Sequence, residues 1–198
     1  MNCRWKICLA GVALLLLMAT VAVPAQESTN RPASWAQKNE VAGIQNCYRV
    51  TTNLYRGAQP TAKGMAQLKA NGIKTVVNLR AWHSDKDKVA GTGLNSVRFE
   101  MEPWRGDEAE AIQFLKIVTD TNNLPAFVHC ERGADRTGMM CAMYRITVCG
   151  WTKQQAIDEM KNGGFNFSPV WQDLVTFIEN ADIADIKRRA GITAGTKN

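Results

Sequence analysis

The sequence predicts an α/β fold, a three-layer-like arrangement in which a central, mostly parallel sheet is flanked by helices. Three observations lead there. Ile73 to Leu79 is a compact apolar run of strand length, with Ser96 to Met101 and Pro125 to His129 as a second and third strand. Helical periodicity lies between them: Ala111, Ile112, Leu115 and Val118 share one face of a helix from about Asp107 to Thr121. After His129 the pattern is helical at Thr137 to Val148, Lys153 to Lys161 and Val170 to about Ile186, interrupted by Gly150-Trp151 and Gly163-Gly164-Phe165. Strands that alternate with helices build a layered sheet with parallel neighbours.

Taken in order, the chain opens with Arg4 and Lys6 ahead of an uncharged apolar run from Ile7 to Val23, closed by Val23-Pro24-Ala25. That is the pattern of a signal peptide over residues 1–25. The alternative is an uncleaved anchor, because 17 apolar residues reach the lower limit for spanning a bilayer core, about 17–25 residues. The small residues and the polar Gln26-Glu27-Ser28 suit a peptidase, so a periplasmic or secreted protein is expected, without stable membrane insertion after cleavage. Residues 26–46 are polar and read as a flexible N-terminal arm. Short β-rich pieces at Tyr48-Arg49-Val50 and Leu54-Tyr55-Arg56 lead to Thr61, the expected cap of a helix through Ala70 that Asn71-Gly72 ends. The folded domain is expected over 47–187, with 188–198 a disordered tail.

Composition narrows the function classes. With 198 residues, 45% hydrophobic and 21% charged, the chain is one ordinary globular domain, which excludes collagen, extended disorder and a polytopic membrane protein. Six cysteines without a Cys-x-x-Cys pair, and only two histidines, argue against a disulfide scaffold and a structural zinc site. Without residues 1–25 the charge is about +4, 22 basic against 18 acidic residues. This suits an acidic substrate, but no basic stripe interleaved with aromatics points to nucleic acid. Lys187-Arg188-Arg189 reads as the solvated finish of a helix, and Cys141 and Cys149, eight apart on one helix, as core residues.

The informative stretch is His129-Cys130-Glu131-Arg132-Gly133-Ala134-Asp135-Arg136-Thr137-Gly138, between a strand and a helix. A cysteine at the carboxyl end of a central strand, followed by a tight loop and a helix N-terminus, faces backbone N–H groups and the positive end of a helix dipole. Those features stabilise a thiolate and a phosphate dianion alike, so Cys130 is the expected nucleophile and Glu131 to Arg136 the phosphate-binding loop. Arg136 can grip two phosphate oxygens at once. Gly133 lets the backbone turn inward without a Cβ, Thr137 is placed to hydrogen-bond the thiolate, and His129 to orient the loop through its ring.

This loop resembles that of the cysteine-dependent protein tyrosine phosphatase superfamily. Tyr55-Arg56-Gly57-Ala58-Gln59-Pro60 and Val77-Asn78-Leu79-Arg80 look like the flanks of compact bacterial and plant dual-specificity phosphatases. Ala142-Met143-Tyr144-Arg145, Gly150-Trp151, Ala156 to Met160 and Gly163-Gly164-Phe165 are similar to exported bacterial tyrosine phosphatases, and the similarity runs from about Tyr48 to Ile186. The resemblance implies the dual-specificity phosphatase fold and hydrolysis through a phosphocysteine. It implies no cofactor and no metal, and phosphorylated proteins as substrates, on phosphotyrosine first and phosphoserine or phosphothreonine second. A monomer is expected. An inositol phosphate or phosphoinositide phosphatase is the enzyme alternative, against which the acidic Glu131 and Asp135 of the loop argue, and a phosphate-binding pseudophosphatase the non-enzymatic one.

The general acid is less sharply marked. The family takes it from a loop ahead of the helix that precedes the nucleophile's strand, here Pro103-Trp104-Arg105-Gly106-Asp107-Glu108, which makes Asp107 the first choice. An Asp at a helix start is also an ordinary cap. Asp135 is the rival, because myotubularin-like phosphatases carry an Asp immediately before the loop Arg; Glu108 and Glu102 stand further back. Cys47 could pair with Cys130 under oxidation if folding brought the two together.

Overall fold

The computed structural model describes residues 31–193; the signal peptide expected over 1–25 lies outside them. Six strands form one sheet: β1 (Gln37–Lys38), β2 (Tyr48–Arg49), β3 (Leu54–Gly57), β4 (Thr75–Asn78), β5 (Asn95–Arg98) and β6 (Ala126–His129), ordered β1-β2-β3-β6-β4-β5. The helices are α1 (Ala62–Ala70), α2 (Lys86–Val89), α3 (Glu108–Thr119), α4 (Asp135–Thr147), α5 (Lys153–Asn162), α6 (Gln172–Asn180) and α7 (Ile183–Ala190).

From β3 to β5 every pairing is parallel, whereas β1–β2 and β2–β3 are antiparallel. The sheet is mostly parallel as expected, in three of its five pairings, and its β1–β2–β3 edge is antiparallel. The reason is the short turn at residues 50–53, too brief for the crossover that a parallel pair requires. The four residues of β4 and of β6 are all buried, the condition of strands covered on both faces.

Side-chain alternation divides the core in two. Val76 and Phe127 point to one face, where Met65 and Leu68 of α1 pack with Val41, Ile44 and Leu94. Val77 and Val128, one residue on, point to the other, against Phe114, Met140, Ile157, Ile178 and Ile186 of α3 to α7. The parallel register aligns Gly57, His129, Asn78 and Arg98 at the carboxyl edge of the sheet, where functional loops of such sheets gather.

Three expectations need correction. Residues 31–46 do not hang loose. Ala36 is buried and donates its N–H to Glu159 Oε1 at 2.5 Å, Arg31 donates to the carbonyls of Gly163 and Ala36 and lies over the rings of Trp35, Tyr48 and Phe165, and β1 pairs with β2. Polar composition suggested an arm because the partners of these groups lie far away in sequence. The tail also begins later than 188, since α7 runs to Ala190, Gly191 closes it with a positive φ of 74°, and Ile192 is buried. Finally, the single helix expected from Val170 to Ile186 is two: Asp182 accepts from Asp185 N–H at 3.0 Å and starts a new helix. Among the described residues no helix is long and apolar enough to cross a membrane.

Candidate active site

Central strand β6 delivers His129, and Cys130 follows at the carboxyl edge, 3% exposed. From there to the start of α4 each carbonyl in succession is held by a donor from outside the loop. His129 Nδ1 bonds the carbonyl of Cys130 at 2.8 Å, Gln59 N–H that of Glu131 at 3.0 Å, and Asn46 Nδ2 that of Arg132 at 3.0 Å. Arg56 Nη2 reaches those of Gly133 and Ala134 at 2.7 and 3.3 Å. In a trans peptide the N–H points opposite to the C=O. Tying down five consecutive carbonyls therefore turns the amide hydrogens of residues 131–135 inward, where an oxyanion can take them. Gly133 makes the bend at φ 69°, and a Cβ there would lie 2.2 Å from the carbonyl carbon of Gly57, so both space and backbone require glycine.

Arg56 is itself 1% exposed, its guanidinium 3.8 Å over the ring of Phe165. Arg136, on the first turn of α4, donates Nη1 to the carbonyls of Leu79 and Met101 at 3.3 and 3.2 Å. Those carbonyls follow β4 and β5, so the sheet edge holds the guanidinium and leaves its other N–H groups for an anion. Thr137 Oγ1 is buried with no hydrogen-bond partner, an unusual condition for a hydroxyl.

The carboxylates divide clearly. Asp135 accepts from Ser168 N–H through Oδ1 at 2.8 Å and from Arg132 Nη2 through Oδ2 at 2.7 Å. With both oxygens accepting, it ties the loop to the segment before α6. Glu131 is exposed and lies 3.8 Å from Arg80 Nη2, while Glu108 pairs with Arg189 of α7. Asp107 caps α3, its Oδ1 accepting from the N–H groups of Ala109 and Glu110 at 2.8 and 3.2 Å; Oδ2 lies 3.9 Å from Arg105. Glu102 is half-buried nearby. Glu110 is the titratable group that stands out. Burial, reinforced by the charges of Asp107 and Glu102, pushes its carboxyl up to about 7 despite Arg105.

Sequence reading missed Asp85, Asn46, Gln59 and the roles of Arg56 and Arg80. Asp85 and His129 are buried against each other, His129 Nε2 to Asp85 Oδ2 at 2.7 Å. Asp85 sits in the polar stretch Trp82-His83-Ser84-Asp85-Lys86, where nothing local marks it; the motif at Tyr55 to Pro60 hinted at Arg56 and Gln59, that at Val77 to Arg80 hinted at Arg80, and nothing marked Asn46. Cys47 belongs to the core on the α1 face and Cys130 to the other, with burial pushing the Cys47 thiol up to about 11. Cys141 is buried and also pushed up to about 11, and Cys149 is half-buried. Among the described residues no group of His, Cys, Asp and Glu could hold a metal ion.

Residues 30–175 match the family model described as DSP-PTPase phosphatase fused to NAD+ kinase. The chain is 32% identical over 186 residues to the dual specificity protein phosphatase TpbA of Pseudomonas aeruginosa, covering 92% of this chain and 83% of that protein. A crystal structure of P. aeruginosa TpbA, a cysteine-to-serine variant in complex with pTyr, superposes with a TM-score of 0.72 at 31% identity, over 83% of this chain and 99% of that one. The chain is also 25% identical over 159 residues to inositol diphosphatase DSP3 of Arabidopsis thaliana, 75% of each protein.

Proposed function

The chain belongs to the DSP-PTPase family of phosphatases, and from that premise we propose that Cys130, Arg136 and Asp107 carry the chemistry of this cysteine-dependent protein phosphatase. The observation that supports the reading best is the run of five consecutive carbonyls, Cys130 to Ala134, each held by a partner, which frees the amide hydrogens that follow Cys130 to form an anion cradle.

The thiolate of Cys130 attacks phosphorus in line. The S–P bond forms as the ester P–O bond breaks, and the departing oxygen takes a proton from the acid. Inward N–H groups and Arg136 hold the equatorial oxygens, where charge develops. Water then attacks the phosphocysteine, giving phosphate and the thiolate, to which the Thr137 hydroxyl donates a hydrogen bond. Asp107 supplies the proton in the first step and removes one from water in the second, through the Oδ2 that its capping bonds leave free.

The substrate is phosphotyrosine in proteins, with phosphoserine and phosphothreonine also accepted. Two exposed tryptophans on the loops after β4 and β5, Trp82 and Trp104, offer flat apolar faces to an aromatic ester, and the relative TpbA is crystallised with pTyr. The enzyme works outside the cytoplasm, a reading supported by Arg4, Lys6, the apolar run to Val23 and Val23-Pro24-Ala25. A second reading, hydrolysis of inositol polyphosphates, gains support from the pairing of Asp135 with Arg132 and Glu131 with Arg80, which offsets the acidic charge that would repel such anions.

The deciding experiment compares turnover of phosphotyrosine peptides, phosphoserine peptides and inositol diphosphates by the mature enzyme and its Cys130→Ser variant. Phosphotyrosine is expected to lead and Cys130→Ser to abolish all turnover; an inositol diphosphate turned over faster than every peptide would replace the reading. For the acid, aryl phosphates of graded leaving-group pKa are compared in Asp107→Asn, Asp135→Asn and Glu110→Gln. Loss of the true acid lowers kcat by roughly 10²–10⁴, most for the poorest leaving groups. If only Glu110→Gln shows that dependence, Asp107 is a cap alone.

A further inference from the structure

The ring of His129 is bound at both nitrogens by groups buried with it. Nδ1 lies 2.8 Å from the carbonyl oxygen of Cys130, and Nε2 lies 2.7 Å from Oδ2 of Asp85; neither side chain has any solvent exposure. A carbonyl oxygen can only accept, so Nδ1 must carry hydrogen. The state of Nε2 then depends on where one proton resides, on the imidazole or on the Asp85 carboxyl.

Every group facing Asp85 favours the first. Gln59 Nε2 donates to its other oxygen at 3.2 Å, and Lys88 of α2 contributes positive charge. Burial alone would raise the Asp85 carboxyl, but the bond and charge of His129, with Gln59 and Lys88, hold it below the ordinary value of 3.8. Beyond Gln59, its Oε1 accepts from Arg80, which faces Glu131 at 3.8 Å. On the opposite side the ring stacks on Phe127, which carries no charge. A carboxylate at Asp85 leaves Nε2 a donor.

We propose that Asp85 is a positioning residue for the phosphatase reaction: it keeps His129 doubly protonated behind Cys130, so that a buried cation supports the thiolate while Nδ1–H fixes the first peptide of the phosphate loop. Asp85 does not touch substrate. It acts through His129, on a link that spans 44 residues of sequence. This deepens the phosphocysteine reading and rests on it for its catalytic meaning, but the protonation state can be read without turnover.

Two measurements test it. In the wild-type protein, ring ¹⁵N shifts of the two histidines, with His83 assigned through His83→Gln, are expected to show both nitrogens of His129 protonated at pH 7.5, where an ordinary imidazole, of pKa about 6.5, is neutral. One bare nitrogen on His129 at that pH overturns the proposal. The second measurement is the pH profile of Cys130 alkylation by iodoacetate in wild type and in Asp85→Asn. Asparagine can donate to a neutral Nε2, so this variant keeps the hydrogen bond and removes the charge. The midpoint is expected to rise by about one pH unit, with kcat/KM down roughly tenfold at pH 6 and recovering at higher pH. An unchanged midpoint, or a loss equal at every pH, makes the contact merely structural and overturns the proposal. If Asp85→Asn does not fold, the wild-type ¹⁵N shifts still decide. If alkylation depends on Asp85 while no phosphomonoester is turned over, the proposed function fails and takes the catalytic role of Asp85 with it, and only the effect of the Asp85–His129 pair on the Cys130 thiol remains.

Discussion

The side chains proposed to be catalytic are held by distant polar groups, and the energy of each contact depends on geometry more than on type. Arg136 illustrates it. Its guanidinium is fixed by two carbonyls at the ends of neighbouring strands, and its planar fork matches two phosphate oxygens, as an ammonium cannot. Arg136→Lys is therefore expected to fold and to lower kcat/KM for aryl phosphate by about 10²–10³, roughly 3–4 kcal/mol of transition-state stabilisation. Steady-state kinetics beside a thermal melt would check this, and a loss below tenfold would mean that charge alone suffices. At this scale the residues from Cys130 to Thr137 were legible because they are contiguous and recur at set offsets between a strand and a helix. Arg56, Asn46 and Asp85 were not, since they meet the loop across 77, 86 and 44 residues and each is an ordinary polar residue where it stands.

Local chemistry decided most elements. Thr61 accepts from Gly64 N–H at 3.1 Å and starts α1, and Thr152 with Gln155 closes a capping box on α5. The expected strands at 73–79, 96–101 and 125–129 appear in place, each shorter than its apolar run. What escaped was the N-terminal segment, because its anchor is a tertiary one. Glu159 accepts from Arg145 Nε and Nη2 at 2.8 Å each and from Ala36 N–H, and Arg145 lies 4.1 Å over Trp151. Removing that carboxylate leaves a buried guanidinium and a buried amide unpaired. Glu159→Ala is thus expected to cost about 3–5 kcal/mol in urea unfolding and to expose the 31–38 segment to proteolysis. Unchanged proteolysis would show that Arg31 and its aromatic neighbours hold the segment unaided.

Across the whole molecule, two carboxylates set opposite edges of the pH range of stability. Asp85 is held below its ordinary 3.8 in the folded state, so its contribution is present above that value and lost as pH falls through its folded pKa. Glu110 is the reverse: ordinarily 4.5, it is raised to about 7, so the folded protein binds a proton there that the unfolded chain releases. Its contribution is full below 4.5 and disappears as pH rises through 7. Glu110→Gln, which cannot ionise, is expected to be more stable than wild type at pH 8 by about 1 kcal/mol, after discounting for partial exposure, or a few degrees in Tm. At pH 4 the two proteins should melt together; a gap there as large as at pH 8 would assign the effect to packing.

By itself the sequence determined the layered α/β class, the candidate loop from Cys130 to Arg136 between a strand and a helix, and the capped start of α1, because each is written in neighbouring residues at short, regular spacing. Tertiary structure alone decided the rest: the antiparallel edge, the packing of residues 31–46, the two-helix finish, the engagement of both oxygens of Asp135 and the Asp85–His129 pair. These depend on which distant groups are buried together. A polar side chain acquires its role from the partner it meets when water is excluded, and the chain names that partner only by folding.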